Sequence, residues 1–221
     1  MKPLFENCYF DSVSIFRDGT TRTVSYLLFS TWRGFIHEFV RFLHRRDKLK
    51  NQHCPSTQRE SLFTVSSPNI VGEKLNDKHV FNGFGYSGEN ESPELRWSGA
   101  PIDTKSFAIT LYDPDAPTGS GWWHWVVYNI PANVTSLPGG AGADGGKSLP
   151  EGAAMGRNDF GLKAYGGACP PPGKQHRYLF TVHALMIEKI EVPEDASPAL
   201  IGFNLTSNCI DKAVLTTIYG S

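Results

Sequence analysis

Residues 112–130 read YDPDAPTGSGWWHWVVYNI, in which two aspartates, two prolines and two glycines precede a Trp-Trp-His-Trp run that continues as an alternating apolar stretch. Pro114 and Pro117 each fix φ and remove a backbone donor, so Asp113 to Thr118 forms neither a regular helix nor a central strand. The segment is a shaped loop. On either side of it, Phe107 to Tyr112 and Trp125 to Ile130 are β-branched or aromatic and read as strands. The loop thus carries two carboxylates and is followed by His124 at the start of a strand.

A second stretch repeats this logic. Residues 165–185, YGGACPPPGKQHRYLFTVHAL, hold a glycine- and proline-rich loop, then His176, then a strand from Tyr178 to Leu185. If the strands carrying His124 and His176 are neighbours in one sheet, both loops leave at the same end, and Asp113, His124, His176 and Tyr178 converge on one cavity. A last strand is expected near Val214 to Tyr219. A helical turn is expected from Asp195, with Pro198 in its first turn and Ala199, Leu200, Ile201 and Phe203 on its apolar face. Strands spaced by turn-rich loops predict an all-β fold, an antiparallel β-sandwich with a few short helices.

Upstream of Phe63 the texture differs. Trp32, Phe35, Ile36, Phe39, Val40 and Leu43 fall near a 3.6 period and predict an amphipathic helix over about Ser30 to Lys50, ending in a basic run. A membrane-surface anchor, a helix docked on its own domain and a segment foreign to the fold are all open readings of it. Residues 51–62 then form a polar, proline-broken linker. The chain is accordingly divided into an extension over 1–60, of unassigned role, and a domain over 61–221.

Composition narrows the function classes. The 221 residues include 21 basic and 22 acidic groups, a formal charge of −1, which argues against a nucleic-acid partner, since such binding needs a basic surface. The four cysteines, Cys8, Cys54, Cys169 and Cys209, form no C-x-x-C pair, so neither a zinc site nor a disulfide framework is expected. Early charged residues interrupt any secretory signal, and Arg33, Glu38 and Arg41 break the most apolar early run, so no transmembrane segment is expected.

Several formal motifs fail on context. Gly140, Gly142 and Gly145 spell G-x-G-x-x-G, but Pro138 precedes them and no helix pattern follows, so the run reads as a mobile surface loop. Asp113 and Asp115 lie two positions apart on one segment and would not flank a glycosidic bond. The tripeptides starting at Asn90, Asn133 and Asn204 carry no weight without a secretory signal.

DPDAP at 113–117 with GWWHW at 121–125, and Pro170-Pro171 followed by HRY at 176–178, resemble the two signature regions of the phosphatidylethanolamine-binding protein family. GRNDFG at 156–161 and VFNGFGYSGENESPELRW from Val80 resemble its bacterial branch, often called Raf-kinase-inhibitor-like. The resemblance spans roughly Thr64 to Tyr219. It implies a β-sandwich whose small surface pocket accepts phosphate-like anions, with Asp113, Asp115, Pro117, Trp122, His124, Pro170, Pro171, His176 and Tyr178 as pocket residues. No catalytic residue, metal or cofactor is implied. The expected partners are a phosphate-containing small molecule or a phospholipid head group, together with a protein such as a kinase or protease.

Asp115 is either a ligand group or the cap of its own turn. Trp123 and Trp125 should alternate away from His124 into the core, Arg177 should pair behind the site, and His183 is read as structural. Lys174 and Gln175 stand where many relatives show a glycine two positions before the histidine, which alters local loop shape. Tyr86 stands where some secreted relatives offer a cysteine near Cys169, which favours a cytoplasmic home. The leading function is a non-enzymatic anion-binding protein; the alternative is a hydrolase or metalloenzyme using His124, His176 and Asp113. The sequence offers neither an activated nucleophile nor a His-Glu-x-x-His pattern for that alternative.

Overall fold

The computed structural model describes the backbone of residues 8–17 and 20–29, and residues 62–221. The chain divides into two units, Met1–Gln58 and Arg59–Ser221. In the first, β1 (Cys8–Arg17) and β2 (Thr20–Phe29) form an antiparallel hairpin paired from Cys8↔Phe29 to Arg17↔Thr20. The sequence reading missed this hairpin, although Asp18-Gly19 between two β-branched and aromatic runs is a hairpin signal. The helix expected over Ser30 to Lys50 lies outside the described residues.

In the second unit, the strands are β3 (Thr64–Ser66), β4 (Asn82–Gly83), β5 (Tyr86–Ser87), β6 (Leu95–Ser98), β7 (Ser106–Asp113) and β8 (Trp122–Pro131), followed by β9 (Ser136–Leu137), β10 (Ala154–Met155), β11 (Gln175–Leu185) and β12 (Cys209–Gly220). Two antiparallel sheets, ordered β10-β8-β7-β11-β12 and β3-β6-β9, enclose the main core. Leu95, Trp97 and Leu137 of the smaller sheet meet Phe107, Ile109, Leu111, Trp125, Val127, Phe180 and Val182 of the larger. This is an antiparallel β-sandwich. On the opposite face of the larger sheet, Ala108 and Val126 pack with Ile190, Ile201 and Leu205. Both faces of β7 are thus covered, which explains its almost unbroken burial.

Helix α1 (Pro198–Asn208) starts later than expected, with Ser197 as N-cap accepting from the Leu200 amide. Its buried side chains are Pro198, Ile201 and Leu205, while Leu200 and Phe203 are exposed. The expected face was right at Ile201 and wrong at Leu200 and Phe203, because a short helix over a sheet buries one i, i+4 pair, here Ile201 and Leu205, and hydrophobic richness alone does not say which. The glycine run is also less free than expected: Ala141 is buried, the Gly142 amide donates to Ser92 Oγ, and the Gly142 carbonyl accepts from the Tyr165 amide.

The strand order carries one correction that matters for the site. The strands of His124 and His176, β8 and β11, are not neighbours; β7, which ends in Asp113, runs between them. Because β7 is antiparallel to both, its C-terminal end and the starts of β8 and β11 lie together. The three polar groups arrive on three adjacent strand ends.

Residues 62–221 hold their own core. A chain lacking residues 1–60 is therefore expected to keep a cooperative thermal transition, read by circular dichroism. Aggregation or a non-cooperative melt would mean that the extension covers part of that core.

Candidate functional site

Asp113 closes β7 and is buried, and its two oxygens are both engaged. Oδ1 accepts the Asp115 amide at 2.8 Å, an Asx turn that starts the proline loop, and Oδ2 accepts from His176 Nδ1 at 2.7 Å. The side chains of His176 and Asp113 are 6% and 4% exposed, so this pair sits in a low-dielectric setting. With Nδ1 donating to the carboxylate, Nε2 is the ring nitrogen His176 has left for a ligand.

His124 is placed by a break in strand register. Leu111 pairs with Trp125 and Tyr112 pairs with Trp123, so His124 has no partner across on β7. This bulge re-aims the side chain. It also sends the flanking indoles apart: Trp125 enters the sandwich core, whereas Trp123 packs with the helix-side cluster and Tyr112. The expectation that both tryptophans share one direction fails for that reason.

The His124 ring is fixed on all sides. Its Nδ1 lies 2.9 Å from the Gly166 carbonyl and 3.0 Å from that of Gly167, so Nδ1 carries the hydrogen. A Cβ on Gly167 would come within 2.5 Å of the backbone of His79 to Phe81, and one on Gly166 within 2.4 Å of the Phe160 ring. Only glycines let these carbonyls approach. Phe160 and Tyr178 contact the imidazole edge-on, at 5.4 and 5.3 Å between ring centres. Burial pushes the His124 pKa down from 6.5 to about 4, so near neutrality the ring is uncharged and Nε2 is an acceptor.

The loop over residues 156–161 locks this strand end. Asn158 donates to the carbonyls of His124 and Ala164, and the Asp159 carboxylate accepts the Trp123 amide at 2.7 Å.

Asp113, Pro117, Trp122, His124, Pro171 and His176 line one cavity of about 160 Å³. Three expected residues do not. Asp115 turns to Arg177, accepting from its Nε, its terminal nitrogen and its amide at 2.7 to 2.9 Å, and the guanidinium holds its carboxyl down to about 2. Pro170 serves through its carbonyl, which accepts from Tyr86 Oη at 2.7 Å. Tyr178 lies fully buried beneath His124, where desolvation raises its hydroxyl pKa well above the usual range.

The sequence reading missed Phe84, Ala116, Thr118 and Phe160 as lining residues and put Cys169 only at the edge. Phe84 and Phe160 lie in the two stretches that resemble the bacterial branch of the family, and a phenylalanine flanked by glycines, as in Gly83-Phe84-Gly85, was the available signal. Cys169 is a free thiol whose pKa is pushed up to about 11 by burial and by Asp113.

Residues 67–220 match the family model described as phosphatidylethanolamine-binding protein. YbcL of Escherichia coli (strain K12) is 58% identical over 159 residues, which cover 71% of this chain and 87% of that protein. YbhB of the same strain is 54% identical over 148 residues, covering 67% and 93%. The crystal structure of E. coli YbcL, described as a new member of the mammalian PEBP family, aligns with a TM-score of 0.70 at 57% identity, covering 72% of this chain and 98% of that one. A homologue from Chlamydia trachomatis, described as a putative phosphatidylethanolamine-binding protein, aligns with a TM-score of 0.60 at 26% identity, covering 73% and 99%.

Proposed function

The chain belongs to the phosphatidylethanolamine-binding protein family, and from that premise we propose that it is a non-enzymatic receptor for phosphate-type anions, free or carried on a small molecule, a phospholipid head group or a phosphorylated partner. One observation carries the reading: the hydrogen-bonded His176–Asp113 pair and the fixed, neutral His124 line the same small, rigid cavity.

Hydrogen-bond polarity makes the proposal more specific. His124 Nε2 can only accept, so its partner must bring a hydrogen, as the P–OH of a phosphate monoanion does. A protonated His176 would donate from Nε2 to another phosphate oxygen while its Nδ1 stays on Asp113. A fully deprotonated dianion offers His124 nothing and faces the Asp113 carboxylate.

Phosphate affinity is therefore expected on the order of 0.1 to 1 mM, and weaker as pH rises from about 6 to 8, because the phosphate itself loses the hydrogen that His124 Nε2 accepts. His124→Ala should cost about 1.5 to 3 kcal/mol of that binding. NMR titration with inorganic phosphate and with phosphoethanolamine at both pH values tests this. Affinity that rises with pH, or shifts absent around His124 and His176, would refute the pocket.

A kinase-inhibitor-like regulatory role follows if a phosphorylated side chain is the anion in the cell, and pull-down with phosphorylated against dephosphorylated partners is its test. Cys169 is a free thiol whose neighbour Pro170 is met by Tyr86 of β5, not by a cysteine, and this supports a reducing, cytoplasmic setting. The hydrolase reading draws on one observation, since His176–Asp113 is the geometry of an oriented base. Against it, the lining thiol is held protonated and the lining hydroxyl of Thr118 is spent on the Gly121 carbonyl. Release of p-nitrophenol from its phosphate ester, abolished by His176→Ala, would favour that reading instead.

A further inference from the structure

Phe84 is out of place by every local criterion. It is 76% exposed, and it sits at φ 52° with Gly85 at φ 89° in the two-residue loop between β4 and β5. Two successive positive φ values make a type I′ turn, where Asn-Gly is the favoured pair and a bulky side chain is disfavoured. Neither turn chemistry nor burial accounts for phenylalanine there.

Its surroundings do. Phe81 and Phe160 stack at 4.4 Å between ring centres and 17° between planes, and Phe84 lies over them at 5.6 and 5.9 Å, 39° and 29° from parallel. Trp122 meets Phe160 edge-on at 5.3 Å. Phe84, Phe160 and Trp122 all border the anion cavity, and Phe84 is the outermost ring, with its surface open. The cavity, at about 160 Å³, is smaller than the several hundred Å³ that enclose a drug-sized ligand. It can take the anion alone, so whatever the phosphate is attached to rests on the exposed lining, where Phe84 offers a ring and Pro117, Thr118 and Pro171 offer smaller surfaces.

The charges at the mouth point the same way. An ammonium would seek a carboxylate, but Asp113 is the one carboxylate among the lining residues, and both its oxygens are engaged, by His176 and by the Asp115 amide. A planar apolar group finds ring faces and edges instead.

We propose that the preferred ligand is an aryl phosphate, a phosphate monoester of an aromatic alcohol, whose ring packs on Phe84 and Phe160 while its phosphate occupies the cavity floor. This rests on the anion-site reading above and adds the identity of the ester group.

Isothermal titration at pH 6 with inorganic phosphate, phenyl phosphate, phosphoethanolamine and phosphocholine tests it. Phenyl phosphate is expected to bind about tenfold tighter than inorganic phosphate and than either amine ester, in keeping with one favourable ring pair plus buried apolar area. Phe84→Leu, which keeps apolar cover, and Phe84→Asn, which suits the turn, should both reduce that preference to about twofold, and Phe84→Asn should not lower Tm.

Phosphate binding without a preference for phenyl phosphate would overturn the inference and leave the anion site standing. Preference for phosphocholine would assign the rings to a cation and also overturn it. A preference that survives both substitutions would make Phe84 mere cover and sink the proposal. Failure of all four ligands to bind would remove the anion site and this inference together.

Discussion

His176→Ala is expected to destabilise the protein by about 3 kcal/mol, the upper end of the cost of leaving a buried polar group without its hydrogen-bond partner. The Asp113 side chain is 4% exposed and cannot recover its solvation by turning outward, because Oδ1 is already committed to the Asp115 amide. Removing the imidazole leaves Oδ2 without its partner beside the apolar walls of Trp122, Phe160 and Pro171. Asp113→Asn should be milder, near 1 kcal/mol, because an amide oxygen still accepts one of the two hydrogen bonds. The double variant Asp113→Asn, His176→Ala should fall short of the sum of the single losses, as contacting residues do. Urea unfolding at pH 7.5 reads all three. A loss under 1 kcal/mol for His176→Ala, or strict additivity, would mean that water reaches the pair and that the cavity floor is not the dry receptor described here.

The sequence revealed the four long strands of the larger sheet and the loop ends that meet, and for a physical reason: Pro114, Pro117 and Pro170 to Pro172 punctuate runs of β-branched and aromatic residues too strongly to be misread. It did not reveal the strand order. Nothing local says that β7 runs between the two histidine strands, because neighbours in a sheet are chosen by packing of whole faces. Alternation along β8 was misleading at the one place where it mattered. A bulge at His124 shifts the pleat by a residue, and a period-2 pattern cannot register an inserted residue whose neighbours are all aromatic.

Asp115 shows a similar limit. Its type and position equally suit a ligand group, a turn cap or an ion pair, and only the distance to Arg177 decides among them. The N-terminal hairpin has Asp18-Gly19 as its one local sign, and that pair suits other turns equally well. Phe84 shows only its flanking glycines in the sequence; that it is exposed and at positive φ, which is what makes it anomalous, is a property of the fold.

Stability is expected to fall as pH drops from about 6.5 to 4, and His124 and His183 are the causes. The environment of His124 was built for a neutral ring: the side chain is buried, Phe160 and Tyr178 flank it, and two carbonyls hold one hydrogen at Nδ1. Desolvation outweighs the favourable carbonyls and the Asp113 charge, so the folded pKa is about 4 against 6.5 for a free imidazole. The sign follows from which state binds the proton first. Below pH 6.5 the unfolded chain protonates His124 while the folded chain resists until about pH 4, so the unfolded state gains protons and stability declines across that window. At about 1.4 kcal/mol per unit, the full decline from this residue is about 3 kcal/mol. His183, also pushed down to about 4 by burial beside Thr110 and Cys209, acts in the same direction. Asp115 adds a later loss, since its carboxyl is held at about 2 by Arg177 and that contribution disappears only as pH falls from 3.8 through 2; the pair is partly exposed, and solvent screening keeps the loss small. Urea midpoints at pH 7.5, 5.5 and 4.5 should therefore descend steeply for the intact protein, and less steeply for His124→Gln, which cannot take up the proton. A flat profile between 6.5 and 4.5 would mean that the folded state accepts a charge at His124 without penalty. The ring would then be a ready donor to phosphate dianions, and the preference for a protonated ligand would reverse.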